Sequence, residues 1–331
     1  APYSEALMGS ENTAPKFDSV EAIYTSLLSN LDAAIGMMDN GGLNGDILFG
    51  GNMNGWKVMA NTIKMRIALR MADVDPSTAA SVFNSAYNSG VIGQGGDLHY
   101  PYLTSDAFDN PWQDRFQTRY DFVVSELFID HLKATGDPRL PYMADGTAIS
   151  NGTEYVGLEY GLENPGILET LLSGIDGRII YDGTQQGGWI ATYAEVCFAM
   201  AEANQRGWTT VGDTLTWLKL GIQSSCERWG VPSASAASFA ASATLGSNPM
   251  ETIAMAKWTD MFLQGYEAWT EWRRLDFPVL SPPAAAITGT GVPVRNGYGG
   301  LVPTQNKASY DAAVAAQGPD NQDTKLWWDT K

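Results

Sequence analysis

Apolar side chains recur every three or four positions along much of this chain, most clearly from Asn248 to Pro278. Asn248 can cap a helix, Pro249 suits its first position, and Glu251 completes a capping box. One apolar stripe then runs through Trp258, Met261, Phe262, Gly265, Ala268, Trp269 and Trp272. This pattern predicts a single core helix that ends before Pro278, because the residue before a proline disfavours the helical conformation.

The same periodicity predicts further helices. A first helix is expected from a cap at Asp18 to about Asp39, and a second from a cap at Asn54 to residues 73–75. Four more are expected at 76–90, 121–135, 187–208 and 213–230. Residues 233–244 are a low-complexity linker or a weak alanine helix, and residues 178–181 resemble a short strand.

Long irregular segments separate these helices. Helical scaffold is predicted at about 17–90, 121–136, 189–278 and 304–318, and inserted loops at about 91–120, 141–188 and 279–303. The pattern indicates an all-α fold with little β-structure, in which helix pairs form a repeat-like array and the loops carry function. Residues 1–331 are expected to form a single domain.

Composition narrows the class of ligand. The 37 acidic and 20 basic residues give a formal net charge of −17, which repels nucleic acids and anionic lipid head groups. Glycine, tryptophan and tyrosine are abundant, with 35, 11 and 14 residues, so the loops carry many flat rings. A neutral or cationic ligand is therefore expected, and nucleic acid is not.

The loop at 91–120 is unusually aromatic. Its rings are interleaved with amides, carboxylates and a guanidinium, and the residues expected to contact a ligand are Tyr100, Tyr102, Asn110, Trp112, Asp114 and Arg115. A flat ring covers the apolar face of a sugar, while polar neighbours bind its hydroxyls. Trp112 is the strongest single candidate, and Tyr155 and Tyr160 in the next loop are secondary ones. The alternative is that these rings only hold the loop against the helices.

Catalytic patterns are scarce in this sequence. His99 and His131 are the only histidines, which removes an HExxH zinc site and disfavours a serine–histidine triad. Glu195 and Glu202 share one helix face about two turns, or roughly 10 Å, apart. A glycosidase would need such a pair across a cleft, and hydrogen bonding to backbone or arginine is the favoured role. The sequence therefore indicates binding without catalysis and without a cofactor.

Two features have more than one interpretation. Cys197 and Cys226 are nearly equidistant from a predicted turn at 208–212, so they form either a disulfide or, as is favoured, two buried free thiols. The loop at 39–55 is rich in acidic and amide side chains but lacks the ligand alternation of a calcium loop. A calcium site is therefore not expected there.

Four stretches together resemble the SusD/RagB family, and more closely its SusD-like branch. They are DILFGGNMNGWKVMANTIKMRIALRMADVDP, DFVVSELFIDHLKATGDPRLPYMA, TYAEVCFAMAEANQRGW, and MAKWTDMFLQGYEAWTEWRRLDFPVL with the tail YDAAVAAQGPDNQDTKLWWD. They follow one another in family order across nearly the whole chain. Members of the family are cell-surface nutrient-binding lipoproteins of Bacteroidetes glycan uptake systems.

The resemblance implies a fold of tetratricopeptide-like helix pairs and capture of an oligosaccharide without chemistry. It also implies a lipid anchor at the extracellular face of the outer membrane and delivery to a SusC-like TonB-dependent transporter. The RagB side of the family implies a peptide ligand instead. The matching stretches are scaffold, so they transfer no ligand residue. The family has a lipoprotein signal, an anchoring cysteine and further helices before APYSEAL, so the chain resembles the C-terminal two-thirds of a longer protein.

Overall fold

The computed structural model describes residues 1–39, 41–105, 107–163, 165–180, 188–286 and 291–331, and within them the chain forms fourteen α-helices and one two-stranded sheet. In chain order the elements are α1 (Val20–Met37), α2 (Met53–Arg70), α3 (Pro76–Ser89), β1 (Leu98–His99), α4 (Pro111–Phe116), α5 (Glu126–Thr135), α6 (Leu140–Met143), α7 (Gly177–Ile180), β2 (Trp189–Ala191), α8 (Tyr193–Gln205), α9 (Thr214–Arg228), α10 (Ser233–Ser242), α11 (Pro249–Asp260), α12 (Gly265–Leu275), α13 (Val302–Gln305) and α14 (Lys307–Gln317).

Most of the predicted helices are present, but several begin at other residues. Helix α3 starts as predicted, because the Asp75 carboxylate accepts a hydrogen bond from the backbone N–H of Thr78. The cap of α1 is Ser19, and the prediction of Asp18 was wrong. Helix α2 is capped by Asn52 and not by Asn54, which is already inside the helix.

The single helix predicted between Asn248 and Pro278 is wrong. The structure has two helices there, α11 and α12, and the turn between them places Leu263 in the left-handed region with φ of 66°. Gly265 begins the second helix. Both helices bury residues toward the interior, so the apolar periodicity continues across the turn and conceals it.

Other local predictions also need correction. The strand-like residues 178–180 belong to the short helix α7, and Tyr181 lies outside the described residues. Within the range 187–208 that was predicted as one helix, residues 189–191 form strand β2 and helix α8 begins at Tyr193. The helix predicted from residue 121 begins only at Glu126. Residues 233–242 do form a helix, and a short helix, α4, lies in the loop predicted to be irregular.

Neighbouring helices pack in pairs around an apolar interior, with α2 on α3, α8 on α9, and α9 on α10. The closest approach between α8 and α9 depends on Gly221, because a Cβ atom there would lie 2.5 Å from the ring of Phe198. Phe83 and Met200 are completely buried between α2, α3 and α8. A second core, around Phe128 and Trp229, lies under the loops that follow β1.

Buried ion pairs join α8 to α11 and α12. The Arg274 guanidinium binds both oxygens of the Glu202 carboxylate and also reaches Glu271, which accepts a further hydrogen bond from Lys257 at 2.7 Å. Burial alone would raise the pKa of Glu202, but Arg274 and Arg206 outweigh it and hold that pKa below its usual range. Glu202 is therefore a structural anion.

Glu195 has a similar structural role. Its two carboxylate oxygens accept hydrogen bonds from Arg66 at 2.7 and 2.8 Å. Both glutamates thus pair with arginine, as the sequence predicted, and neither faces the other across a cleft.

Cys197 and Cys226 are buried free thiols. Burial raises the pKa of each to about 12, so neither is a reactive thiolate at neutral pH. Among the described residues, no helix combines the length and the apolar character required to cross a bilayer.

Candidate functional site

A shallow basin of about 300 Å³ lies beside the end of strand β1, and its walls include Tyr100, Tyr102, Phe108 and Asp109. The two tyrosine rings are 4.8 Å apart with an angle of 53° between their planes. Tyr100 is 42% exposed and Phe108 is 65% exposed, so two apolar rings face solvent around a concave surface. These rings adjoin one another, and a contiguous exposed patch of this kind is characteristic of interaction sites.

The backbone holds these rings in place. The pairing of β1 with β2 extends to Tyr100, whose N–H donates to the carbonyl of Gly188 at 3.0 Å. Gly188 has a φ of 64°, and a Cβ atom there would lie 2.5 Å from the Tyr102 ring, so only glycine permits this contact. Burial, followed by the neighbouring Tyr100, raises the pKa of Tyr102, which keeps its hydroxyl a neutral hydrogen-bonding group.

Helix α4 presents the next ring along the chain. Asn110 is buried, and its side-chain oxygen accepts a hydrogen bond from the backbone N–H of Trp112 at 2.9 Å, which caps the helix. This geometry gives Asn110 a positioning role, because it fixes where α4 starts. Asp114 and Arg115 are exposed on the same helix, and the Arg115 guanidinium lies 5.2 Å from the centre of the Phe122 ring.

Trp112 is half-buried in an aromatic cluster. Its ring lies 6.0 Å from Phe122 in an edge-to-face arrangement and 6.5 Å from Phe116, the buried last residue of α4. Phe122 itself remains 39% exposed. The Trp112 ring therefore packs partly against the core and remains partly accessible to solvent.

Two grooves adjoin Phe122, and Val123 and Ile175 also contribute to both. The first groove, of about 280 Å³, is walled mainly by the rings of Trp112, Trp258 and Phe262. The second, of about 290 Å³, combines aromatic rings with the polar residues Asp145, Glu169 and Thr170. We refer to them as the apolar groove and the polar groove.

The secondary candidates lie elsewhere. Tyr155 packs partly buried against the core around Phe128, and its carbonyl accepts a hydrogen bond from the Lys133 ammonium. The Tyr160 hydroxyl donates to the carbonyl of Ser281. Neither tyrosine is among the residues that line the basin or the two grooves.

The structure adds residues that the sequence did not single out as ligand candidates. Phe122, Trp258 and Phe262 line the apolar groove together with Trp112, although Phe122 and Trp258 are 136 positions apart in the chain. Trp258 and Phe262 belonged to the apolar stripe that predicted a core helix. Among the described residues, no cluster of three or more histidine, cysteine or acidic side chains forms a metal site.

The sequence matches the SusD-like family profile described as "starch-binding associating with outer membrane" over residues 1–299. A comparison with curated proteins found no match.

Solved structures with the same fold cover almost the whole chain. A chitin-binding protein has a TM-score of 0.86 and 26% identity, over 100% of this chain and 76% of that one. A chitin-binding SusD homologue from Flavobacterium johnsoniae has a TM-score of 0.83 and 23% identity, over 99% of this chain and 76% of that one. For a SusD homologue from Bacteroides uniformis the values are 0.85 and 24%, over 100% and 77%. These likenesses confirm the predicted all-α, tetratricopeptide-like architecture.

Proposed function

Because the chain belongs to the SusD-like family, whose members are carbohydrate-binding proteins associated with the outer membrane and not enzymes, we propose that it captures an oligosaccharide on its aromatic surface. This surface consists of the basin at Tyr100 and Tyr102 and the rings of Trp112 and Phe122. It comes largely from the loop at 91–120 that the sequence predicted as the ligand loop.

One observation carries this proposal. The rings of Tyr100, Tyr102 and Phe108 surround an open basin in which Asp109 supplies a carboxylate. Stacking on a flat ring buries the apolar face of a pyranose, and a carboxylate accepts hydrogen bonds from its hydroxyls. The net charge of −17 does not oppose such a ligand, because sugars of this kind are neutral.

We further propose that the protein is lipid-anchored at the extracellular face of the outer membrane and hands its ligand to a SusC-like TonB-dependent transporter. The support is the family membership together with the resemblance of the four scaffold stretches. Neither step requires bond cleavage, in agreement with the buried, arginine-paired state of Glu195 and Glu202.

Two ligand classes should be tested first. The family description names starch, and two of the similar structures are chitin-binding proteins. Maltohexaose and chitohexaose represent these classes, and a mixture of short peptides represents the RagB-like alternative.

Calorimetric titration of the Tyr100→Ala and Trp112→Ala variants tests the site. Loss of one stacking ring is expected to weaken oligosaccharide binding roughly two- to tenfold. Tyr160→Ala is the matched control, because Tyr160 lies away from the basin and both grooves, and it should bind like the wild type.

Two results would contradict the proposed site or its ligand class. Undiminished affinity in both Tyr100→Ala and Trp112→Ala would remove the aromatic surface from the site. Binding of peptides in place of either sugar would replace the proposed ligand class.

A further inference from the structure

The apolar groove differs chemically from an ordinary sugar site. Its walls are the rings of Trp112, Phe122, Trp258 and Phe262 with aliphatic neighbours, and the one side-chain hydroxyl among its lining residues is that of Ser125. Sugar hydroxyls placed against such walls would lose their hydrogen bonds to water without replacement. A ligand group that fits must therefore be mostly apolar, with an acceptor atom that the Ser125 hydroxyl can bind.

The Ser125 hydroxyl can supply the partner for that atom. It occupies the N-cap position of α5, yet its side chain makes no cap hydrogen bond. Its backbone carbonyl accepts from Phe128 and Ile129 N–H at 3.1 Å each, so the start of the helix is held without the hydroxyl. A serine at the N-cap position usually accepts a hydrogen bond from a backbone N–H of the helix through its side-chain oxygen. The Ser125 oxygen makes no such cap hydrogen bond, so it is available to another group.

The backbone turn between α11 and α12 fixes the position of one groove wall. Leu263 lines the groove with a positive φ of 66°, a conformation that leucine adopts only under constraint. Here the strain accompanies the turn that separates α11 from α12 and carries Phe262 in the groove wall.

We propose that the apolar groove receives the acetamido group of an N-acetylated sugar, with its methyl on the aromatic rings and its carbonyl oxygen accepting a hydrogen bond from Ser125. This assignment rests on the proposed function and adds its substrate class. The occupant follows from continuity, because Trp112 and Phe122 belong both to the groove and to the surface proposed to stack on the sugar.

The polar groove complements this arrangement. Asp145, Glu169 and Thr170 offer acceptors for sugar hydroxyls on the part of the surface that shares Phe122 with the apolar groove. Each groove, at about 280 and 290 Å³, is close to the lower limit of roughly 300 Å³ for small-molecule pockets. The apolar groove therefore takes the acetamido group alone, and hydroxyls of the same or a neighbouring sugar unit face the polar groove.

Two variants of the full chain test the assignment by titration with chitotetraose and with cellotetraose, which differ in the acetamido groups. Ser125→Ala removes the hydrogen bond and should weaken chitotetraose binding roughly two- to tenfold. Ala268→Leu fills the groove and should weaken it at least tenfold. Cellotetraose binding should change less than twofold in both. Ala237→Leu, an exposed position on α10, is the control for the added side chain.

The outcomes separate the two proposals. If the wild type binds chitotetraose and neither variant weakens it, the acetamido assignment is overturned while oligosaccharide binding stands. Equal wild-type affinity for chitotetraose and cellotetraose would also overturn the acetamido assignment. If no oligosaccharide binds at all, the proposed function itself fails. Circular dichroism of each variant, which should match the wild type, shows that any loss is not due to unfolding.

Discussion

Asp46 illustrates how one carboxylate orders a glycine-rich loop. One of its oxygens accepts hydrogen bonds from the N–H groups of Leu48 and Phe49, and the other from Gly51 and the Trp56 indole, at 2.9 to 3.1 Å. Burial alone would raise the pKa of Asp46, but these four donors lower it to about 2. The carboxylate is thus a structural hydrogen-bond acceptor that orders the loop.

The depressed pKa of Asp46 predicts a pH-dependent contribution to stability. The folded value of about 2 lies below the ordinary value of 3.8, so the contribution is complete above pH 4 and disappears as the pH falls toward 2. In Asp46→Asn the second oxygen becomes an amide nitrogen, which cannot accept from Gly51 or Trp56. The difference in Tm between wild type and variant should therefore be largest at neutral pH and shrink on acidification.

Thermal unfolding between pH 7 and pH 2 measures this difference. Asp130→Asn, on the exposed face of α5, provides the comparison for a lost surface charge. A Tm difference for Asp46→Asn that stays constant across the range would contradict the assigned role.

At the scale of elements, buried ion pairs take the place of apolar packing where α8 meets α11 and α12. Arg274 is nearly inaccessible to solvent and lies between Glu202 of α8 and Glu271 of its own helix. Burial alone would lower the pKa of Arg274, but the two carboxylates raise it above its usual range. A buried ion pair stabilises a folded protein little more than apolar side chains of similar volume would. Loss of one partner nevertheless leaves the other charge buried and uncompensated.

Arg274→Met should therefore destabilise the protein strongly. We expect a loss of about 3 kcal/mol in the free energy of unfolding, because among the described residues Glu202 and Glu271 then keep one cationic partner each, Arg206 and Lys257. Urea denaturation measures this change. Lys307→Met removes an exposed pair with Asp311 and should cost less than about 1 kcal/mol. Similar losses of unfolding free energy in the two variants would show that burial of the Arg274 ion pairs adds nothing to their effect on stability.

The elements also show what a single sequence can predict. Periodicity located the long helices, because burial of one face repeats every turn. It did not reveal the turn at Leu263, since apolar residues on both sides face the interior. Helix α4 was missed although Asn110–Pro111 is the same cap-and-proline signal as Asn248–Pro249. Six residues are too few for an apolar stripe to repeat, so only this local signal could have located α4.

The candidate site was predictable only in part, for a related reason. Aromatic rings in the loop at 91–120 pointed to a sugar surface, and the structure places Tyr100, Tyr102 and Trp112 on open walls. The apolar groove could not be predicted, because Trp258 and Phe262 come from another part of the chain and follow the periodicity of core residues. Only the tertiary fold brings them to Trp112.

At the scale of the whole molecule, the aromatic surface and the helical scaffold share one core. The core under the loops includes Phe116 and Phe128 from the site region together with Trp229 and Trp258 from the scaffold, and Trp229 is only 1% exposed. Opening the site region would therefore expose scaffold residues as well. The expectation of a single domain remains a prediction, and this shared core is its physical basis.

A shared core predicts one cooperative unfolding transition. Far-UV circular dichroism follows the helices, and tryptophan fluorescence follows the packing of the eleven indole rings, which include Trp112 of the aromatic surface and Trp229 of the shared core. The two urea curves should therefore coincide. A bound oligosaccharide at one hundred times its Kd should add about 2.7 kcal/mol and shift both curves together, because it binds only the folded state. If fluorescence changes at a lower urea concentration while the helical signal persists, part of the aromatic packing unfolds as a separate unit. A ligand that shifts only the fluorescence curve would lead to the same conclusion, since stabilisation of one unit does not reach an independent one.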